Sequence, residues 1–442
     1  MEANKILKAA FGFDASKHSV KTEIVAGITT FLTMAYILAV NPSIFGALKD
    51  MPSGAVFTAT ALAAVVATVV MAFYAKKPFV LAPGMGLNAF FVYTVCLGMG
   101  YSWQFALTAV LVEGIMFVIL TATKVRQWIL DAIPMSLKHA IGAGIGLFIA
   151  FIGLQNAGIV VDDASTLVTL GDVCHGTALL GVIGLVISCA LAMLHVRGGI
   201  LIGILATTVI GAFIKDPVTG QALTNFNGLL SAPPSISSTF CQFEWDKLFT
   251  IDMLVVVFTF IFIDMFDTMG TVIGVSQKAG FIDEKGNVQD ADKVFMADAI
   301  GTVAGACFGT STTTTYVESS TGVGSGGRTG LTAFTAAVCF ALSLFLSPLF
   351  LAIPGAATAP ALIIVGMMMM QPVTKIDWLN YRESIPAFLT LILMPLTYSI
   401  SDGILIGMIS YVVLYALAGK WKQISPTMWV LAVLFVLRYI FI

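Results

Sequence analysis

Charge is what this chain has least of. Only 10% of its 442 residues are Asp, Glu, Lys or Arg, while 58% are hydrophobic and the mean hydropathy is +0.97. A soluble domain carries about 25% charged residues, so this scarcity excludes an ordinary water-soluble fold and defines a polytopic membrane protein. With a net charge of -2 and no basic tract, nothing in the chain attracts nucleic acid. Histidine is nearly absent too: His18, His139, His175 and His195 all fall at the ends of apolar runs or in loops. An intramembrane hydrolase would need a base or metal at depth, so the chain reads as a non-enzyme with no catalytic residues. Six cysteines lack metal-ligand spacing, and neither a metal nor another cofactor is expected. Cys96, Cys189, Cys307 and Cys339 read as packed thiols; Cys174 and Cys241 fall in two polar loops where a disulfide is permitted but not required. The N-terminus shows no cleavable signal pattern, because Met1 to Lys21 is polar and the first apolar run is full length.

What the chain has in abundance is apolar segments. A window of about 20 residues gives Ile24–Pro42, Val56–Tyr74, Phe79–Val95, Trp103–Thr123, His139–Leu154, Ala178–Leu194 and Gly198–Phe213. After a polar stretch from Lys215 to Lys247 come Ile251–Val275, Val294–Phe308, the run around Gly309–Gly322, Leu331–Phe350, Ala356–Met370, Ile385–Thr397 and Gly403–Leu417. A short last piece, Met428–Ile442, contains Arg438 and reads as an interfacial tail helix. Positive charge supports the count. With both termini in the cytoplasm, 18 Lys and Arg lie inside, among them Lys76, Lys77, Lys124, Arg126, Lys285 and Arg328. Only Lys49, Lys215 and Lys247 lie outside, and a miscounted segment would destroy that bias.

Seven segments per half place the second copy upside down, the inverted plan of many secondary transporters. The fold class expected is therefore an all-α membrane protein of 14 segments in two inverted repeats, with short strands in segments 3 and 10. Those two are the irregular ones. Segment 3 carries Pro83, Gly84 and Gly86, which spoil a continuous helix, and a polar Asn88. Segment 10 holds five threonines between Thr310 and Thr315, favouring an extended strand, followed by Tyr316, Glu318, Ser319 and Ser320. Irregular backbone is allowed at membrane depth only where protein or an aqueous cavity surrounds it; the bland alternative is an extramembrane loop. Asn88 lies 65 residues after Glu23 and Glu318 lies 67 after Ile251, so the two breaks occupy matching places in the halves.

Intramembrane acids cost at least a few kcal/mol when ionised and facing lipid, about 3 by insertion scales. Asp264 and Asp267 share roughly one face of segment 8 by their i, i+3 spacing. Glu113 in segment 4 suits either a site or a helix bridge. Asp298 opens segment 9 near the inner surface and reads as a capping or gating residue. No Lys or Arg lies in the core of any segment. Carboxylates, an amide, hydroxyls and the rings of Phe90, Phe91, Phe266 and Tyr316 suit a flat neutral heterocycle with adjacent N–H donors. Withdrawal from water favours a carboxyl's neutral form, so one acid is expected to load a proton together with the substrate. The glycine run Gly322–Gly327 before Arg328 has no lysine for a phosphate loop and follows no buried parallel strand.

The motifs Ile24–Tyr36, Ala82–Phe90, Phe266–Thr271, Tyr316–Ser319 and Gly326–Thr332 resemble the AzgA-like branch of the nucleobase–cation symporter-2 (nucleobase/ascorbate transporter) family, the adenine/guanine/hypoxanthine permeases. The resemblance covers nearly the whole chain. It implies a core domain (24–123 plus 251–350), a gate domain (139–213 plus 356–417) and a C-terminal interfacial helix (428–442). It also implies elevator-like, proton-driven uptake of a purine across the inner membrane, by a homodimer. Carried over by motif, Asp267, Glu318 and Asn88 bind substrate, in the company of Met85, Gly86, Phe90, Thr315 and Tyr316. Asp267 and Glu318, with Asp264, would couple the proton, and Thr271, Ser319 and Asp298 would gate or support the site. The alternatives are an anion exchanger or a uracil or xanthine carrier on the same fold; Glu318 counts against the first and the motif set against the second.

Overall fold

In a computed structural model of the chain, residues 2–123, 133–217, 220–226, 228–282 and 288–441 are described. Lys124, Arg126 and Lys285, three of the charges counted as inside, lie outside the described residues. Nine helices in the described part are long and apolar enough to cross a membrane, by length and composition. The other segments are shorter or interrupted, as Met85–Gly98 and Gly199–Gly211 illustrate.

Segment 1 is broken where the sequence gives no warning. A helix over Val20–Met34 stops, and another runs from Ile37 to Phe45, leaving Ala35 and Tyr36 at the junction. Segment 2 is helical over Ser53–Val70 and continues as a wider turn to Ala75. Segment 4 spans Trp103–Ala122, segment 8 Ile251–Ala279 and segment 9 Ala291–Phe308. Segment 11 starts at Gly330, where Glu23 of segment 1 receives the Arg328 and Thr329 N–H groups at 3.1 and 3.2 Å. Those N–H groups would otherwise be orphaned at a helix start. Arg328 in turn donates to the Val323 and Gly327 carbonyls at 2.6 and 2.7 Å, closing the end of the half-helix in segment 10. The glycine–arginine run is thus a structural junction.

The strands expected in segments 3 and 10 are present and meet each other. β1 (Leu81–Pro83) pairs antiparallel with β4 (Thr313–Thr315), Leu81 opposite Thr315 and Pro83 opposite Thr313. The ladder is extended by Gly84 N–H to Thr312 O and by Tyr316 N–H to Val80 O, both 3.0 Å. A two-stranded ribbon in a membrane leaves two open edges, and bare edges are not tolerated there. Two threonines close them. The Thr68 hydroxyl of segment 2 accepts from Leu81 N–H at 3.0 Å and donates to Leu81 O at 3.2 Å. The Thr302 hydroxyl of segment 9 does the same for Thr313, at 3.3 and 3.2 Å. Segments 2 and 9 are equivalent members of the two halves, so one device is used twice, once per repeat. A second hairpin, β2 (Val160–Asp163) with β3 (Leu167–Leu170), lies in the connection between segments 5 and 6 and was not foreseen.

Packing falls into two groups. Segments 1–4 and 8–11 pack on one another, through pairs such as 4 with 9, 2 with 9, 1 with 11 and 8 with 10. Segments 5–7 and 12–14, helical over Met135–Asn156, Gly176–Met193, Gly199–Gly211, Gly355–Met369, Tyr381–Leu396 and Ile400–Leu417, do likewise. Segments 5 and 12 touch closely enough that a Cβ on Gly366 would lie 2.3 Å from the Gly146 carbonyl oxygen. The last helix, Pro426–Phe441, buries Met428, Leu431, Ala432 and Phe435 and exposes Val430, Val433 and Val436. Its ring Phe435 meets Phe258 of segment 8 at 5.5 Å.

Candidate functional site

The strand pair carries the site because extended chain puts residues two apart on one face, here in the middle of a helical body. Thr314 hydrogen-bonds the carboxyl of Asp267, and Thr312 donates to Glu113 at 2.6 Å. Just after β4 the chain turns, presenting Tyr316, Val317 and Glu318 before the half-helix Ser319–Gly324. Tyr316 donates to the Pro83 carbonyl at 2.6 Å, tying this turn back to β1. Glu318 accepts from the Tyr36 hydroxyl at 2.6 Å. Asp267 and Glu318 interact electrostatically with each other, and both act on Tyr36 and Tyr316. Four residues from segments 1, 8 and 10 therefore share one polar centre. No ion pair reaches Asp267 or Glu318 among the described residues.

A second set of acids sits behind it. Glu113, Asp264 and Asp298 are buried, and Glu113 interacts with the other two. Thr268 lies between Asp264 and Asp298, its hydroxyl 2.9 Å from an oxygen of each. One hydroxyl has one hydrogen to give, so it serves one of the two carboxyls at a time. The i, i+3 pair on segment 8 is thereby divided: Asp267 faces the Tyr36–Glu318 centre and Asp264 faces segment 9. Asp298 is also not where the sequence suggested. Residues from Ala291 onward extend the helix ahead of it, and Asp298 is buried against segment 8 rather than placed at the surface as a cap.

The other expected residues separate clearly. Thr315 is buried, and its hydroxyl oxygen finds no hydrogen-bond partner among the described residues. Met85 and Phe90 are buried, Phe90 edge-on to Phe260 of segment 8 at 4.8 Å. Gly86 marks the contact between the two packing groups: a Cβ there would lie 2.7 Å from Ile145 Cγ2 on segment 5. Thr271 is half-buried one turn beyond Asp267. Ser319 accepts from Val80 N–H at 3.0 Å and so braces the strands. Asn88 is wholly buried, its Oδ1 taken by Ser311 and its Nδ2 directed to the Pro83 carbonyl at 3.5 Å. Its amide clasps the two broken segments, and the Pro83 carbonyl it points to is the one that accepts from Tyr316. Cys174 and Cys241 are both free thiols.

Sequence reasoning missed Tyr36, Thr268, Thr312 and Thr314. Tyr36 was within a quoted motif, and a phenol hydroxyl midway through an apolar run needs a partner; that was the available signal.

Two crossed, interrupted segments with acids at their meeting point, inside an inverted fourteen-segment membrane body, define a membrane transporter. The fold agrees with solved structures. The transmembrane domain of the cyanobacterial bicarbonate transporter BicA matches with a TM-score of 0.63 at 15% identity, over 88% of this chain and 97% of that one. SLC26A9 matches with a TM-score of 0.64 at 11% identity, over 94% and 69%. By sequence, the profile described as "Permease family" matches residues 21–428, and the chain belongs to that family. Guanine/hypoxanthine permease PbuG of Bacillus subtilis is 45% identical over 99% of this chain and 100% of its own length. Adenine permease AdeP of Escherichia coli is 40% identical over 99% and 96%. A putative permease of Methanocaldococcus jannaschii is 47% identical over 99% of each chain.

Proposed function

We propose that this protein imports purine nucleobases by proton symport across the plasma (inner) membrane, with both termini cytoplasmic. The observation that carries the reading is the convergence of Asp267 and Glu318, with Tyr36 and Tyr316, where the two strands cross. A purine presents adjacent N–H donors, carboxylates accept them, and Tyr316 and the buried hydroxyl of Thr315 border the same turn. The names of full-length relatives such as PbuG and AdeP point to the same substrate class. One of the two acids takes a proton with the purine, so that two negative charges are not left together in the membrane interior.

Segments 1–4 and 8–11 act as the moving core, and segments 5–7 and 12–14 as the fixed gate, in an elevator-type cycle carried out by a homodimer. Support comes from the division of packing into those groups and from Gly86, which lets segment 3 lie closely on segment 5. Anion exchange, suggested by the fold neighbours alone, is disfavoured by a centre that bears acids and, among the described residues, no paired cation.

Uptake of labelled adenine, guanine, hypoxanthine and uracil into cells, with and without a protonophore, tests the function. Concentrative uptake of at least one purine, abolished by the protonophore and not competed by uracil, is expected. Purine uptake indifferent to the proton gradient would overturn the coupling, and no purine uptake at all would overturn the substrate.

A further inference from the structure

The polar connection before segment 8 is seated on the end of segment 9. Thr239 donates to the Phe308 carbonyl at 3.0 Å, and a Cβ on Gly309 would lie 2.4 Å from Thr239 Cβ. Cys241 N–H then donates to the Cys307 carbonyl at 2.8 Å, and the two side chains interact with each other. The bond lengths on either side of that one N–H···O bond keep the two Cα atoms within about 6.7 Å of each other, inside the window of about 4.4–6.8 Å that a disulfide needs. Cys241 is exposed and Cys307 half-buried. Cys174, the partner that sequence alone suggested for Cys241, is exposed in a different loop and hydrogen-bonds within that loop, to Asp172.

We propose that Cys241 and Cys307 form a thiol–disulfide pair that closes on contact with a small disulfide oxidant. The exposed Cys241 thiolate attacks one sulfur of RS–SR, forming a mixed disulfide and expelling RS⁻. Cys307, giving its proton to water, attacks Cys241 Sγ and expels the second RS⁻. Two protein thiols are oxidised and one disulfide is reduced to two thiols, each RS⁻ recovering a proton from water. With the orientation proposed above, the pair faces the outside, where such oxidants persist.

The closed bond would tie the outer connection to segment 9 within a single packing group. That connection already bonds segment 2 through Thr58 and segment 4 through Thr108. Closure should therefore raise thermal stability and leave uptake intact.

The full-length protein, purified under reducing conditions and treated with oxidised glutathione, is alkylated, digested without reductant and mapped by mass spectrometry. A Cys241–Cys307 linked peptide that disappears with reductant is expected, together with a higher melting temperature. Cys307→Ser should instead trap glutathione on Cys241. The proposal is overturned if wild-type Cys307 is fully alkylated while Cys241 carries glutathione, or if Cys241 is linked to Cys174. None of these outcomes depends on the transported substrate.

Discussion

Tyr36, Asp267 and Glu318 are three side chains whose value lies in their being together. Removing the Tyr36 hydroxyl deprives Glu318 of its donor at 2.6 Å. Hydrogen bonds to charged groups contribute about 1.5–3 kcal/mol, so Tyr36→Phe should lower the rate of purine uptake roughly tenfold or more, with surface expression unchanged. Glu318→Gln and Asp267→Asn should each abolish concentrative uptake at normal expression, and wild-type accumulation in both would remove the site assignment. These acids were legible because a carboxyl in an oily run is conspicuous. Tyr36, Thr268 and Thr314 were not, because hydroxyl side chains are ordinary in membrane segments and only a fold shows which of them faces an acid. Asp298 was misplaced for a related reason: hydropathy finds the oily part of segment 9 and overlooks the polar turns that precede it.

Among the elements, the short strands were readable from threonine density and from the Pro-Gly-x-Gly break, and their matching positions announced the repeat. Their edge closure was not readable. Thr68 and Thr302 are single residues in long helices, and each satisfies both polar groups of one strand residue. Thr68→Val and Thr302→Val should each leave a buried N–H and C=O unmet, at about 1–3 kcal/mol per group. Both variants should show clearly lower melting temperatures in detergent, while the serine variants hold theirs. Equal stability of valine and serine variants at both positions would show that the edges are satisfied otherwise. The break in segment 1 was equally invisible, since neither Gly nor Pro stands at Ala35 and Tyr36; the junction is stabilised by what Tyr36 reaches across the fold.

For the whole molecule, the proposed cycle requires the group containing segment 3 to move past segment 5. Gly86→Cys with Ile145→Cys, in a chain lacking its native cysteines, places two thiols at that contact. Oxidation should stop uptake and reductant should restore it; full activity in the cross-linked protein would exclude a sliding core. The orientation has its own check. A membrane-impermeant thiol reagent applied to intact cells should label the exposed Cys174, and protection of Cys174 until the cells are broken would invert the topology. The antiparallel meeting of β1 and β4 bears, finally, on biosynthesis. A ribosome that has delivered only the first seven segments to the translocon has inserted half of a ladder whose counterpart is not yet translated. The nascent protein must shelter those bare amides until residues beyond 310 arrive, so a fragment ending in the central connection should be cleared by quality-control proteases, and co-expressing the two halves should rescue both.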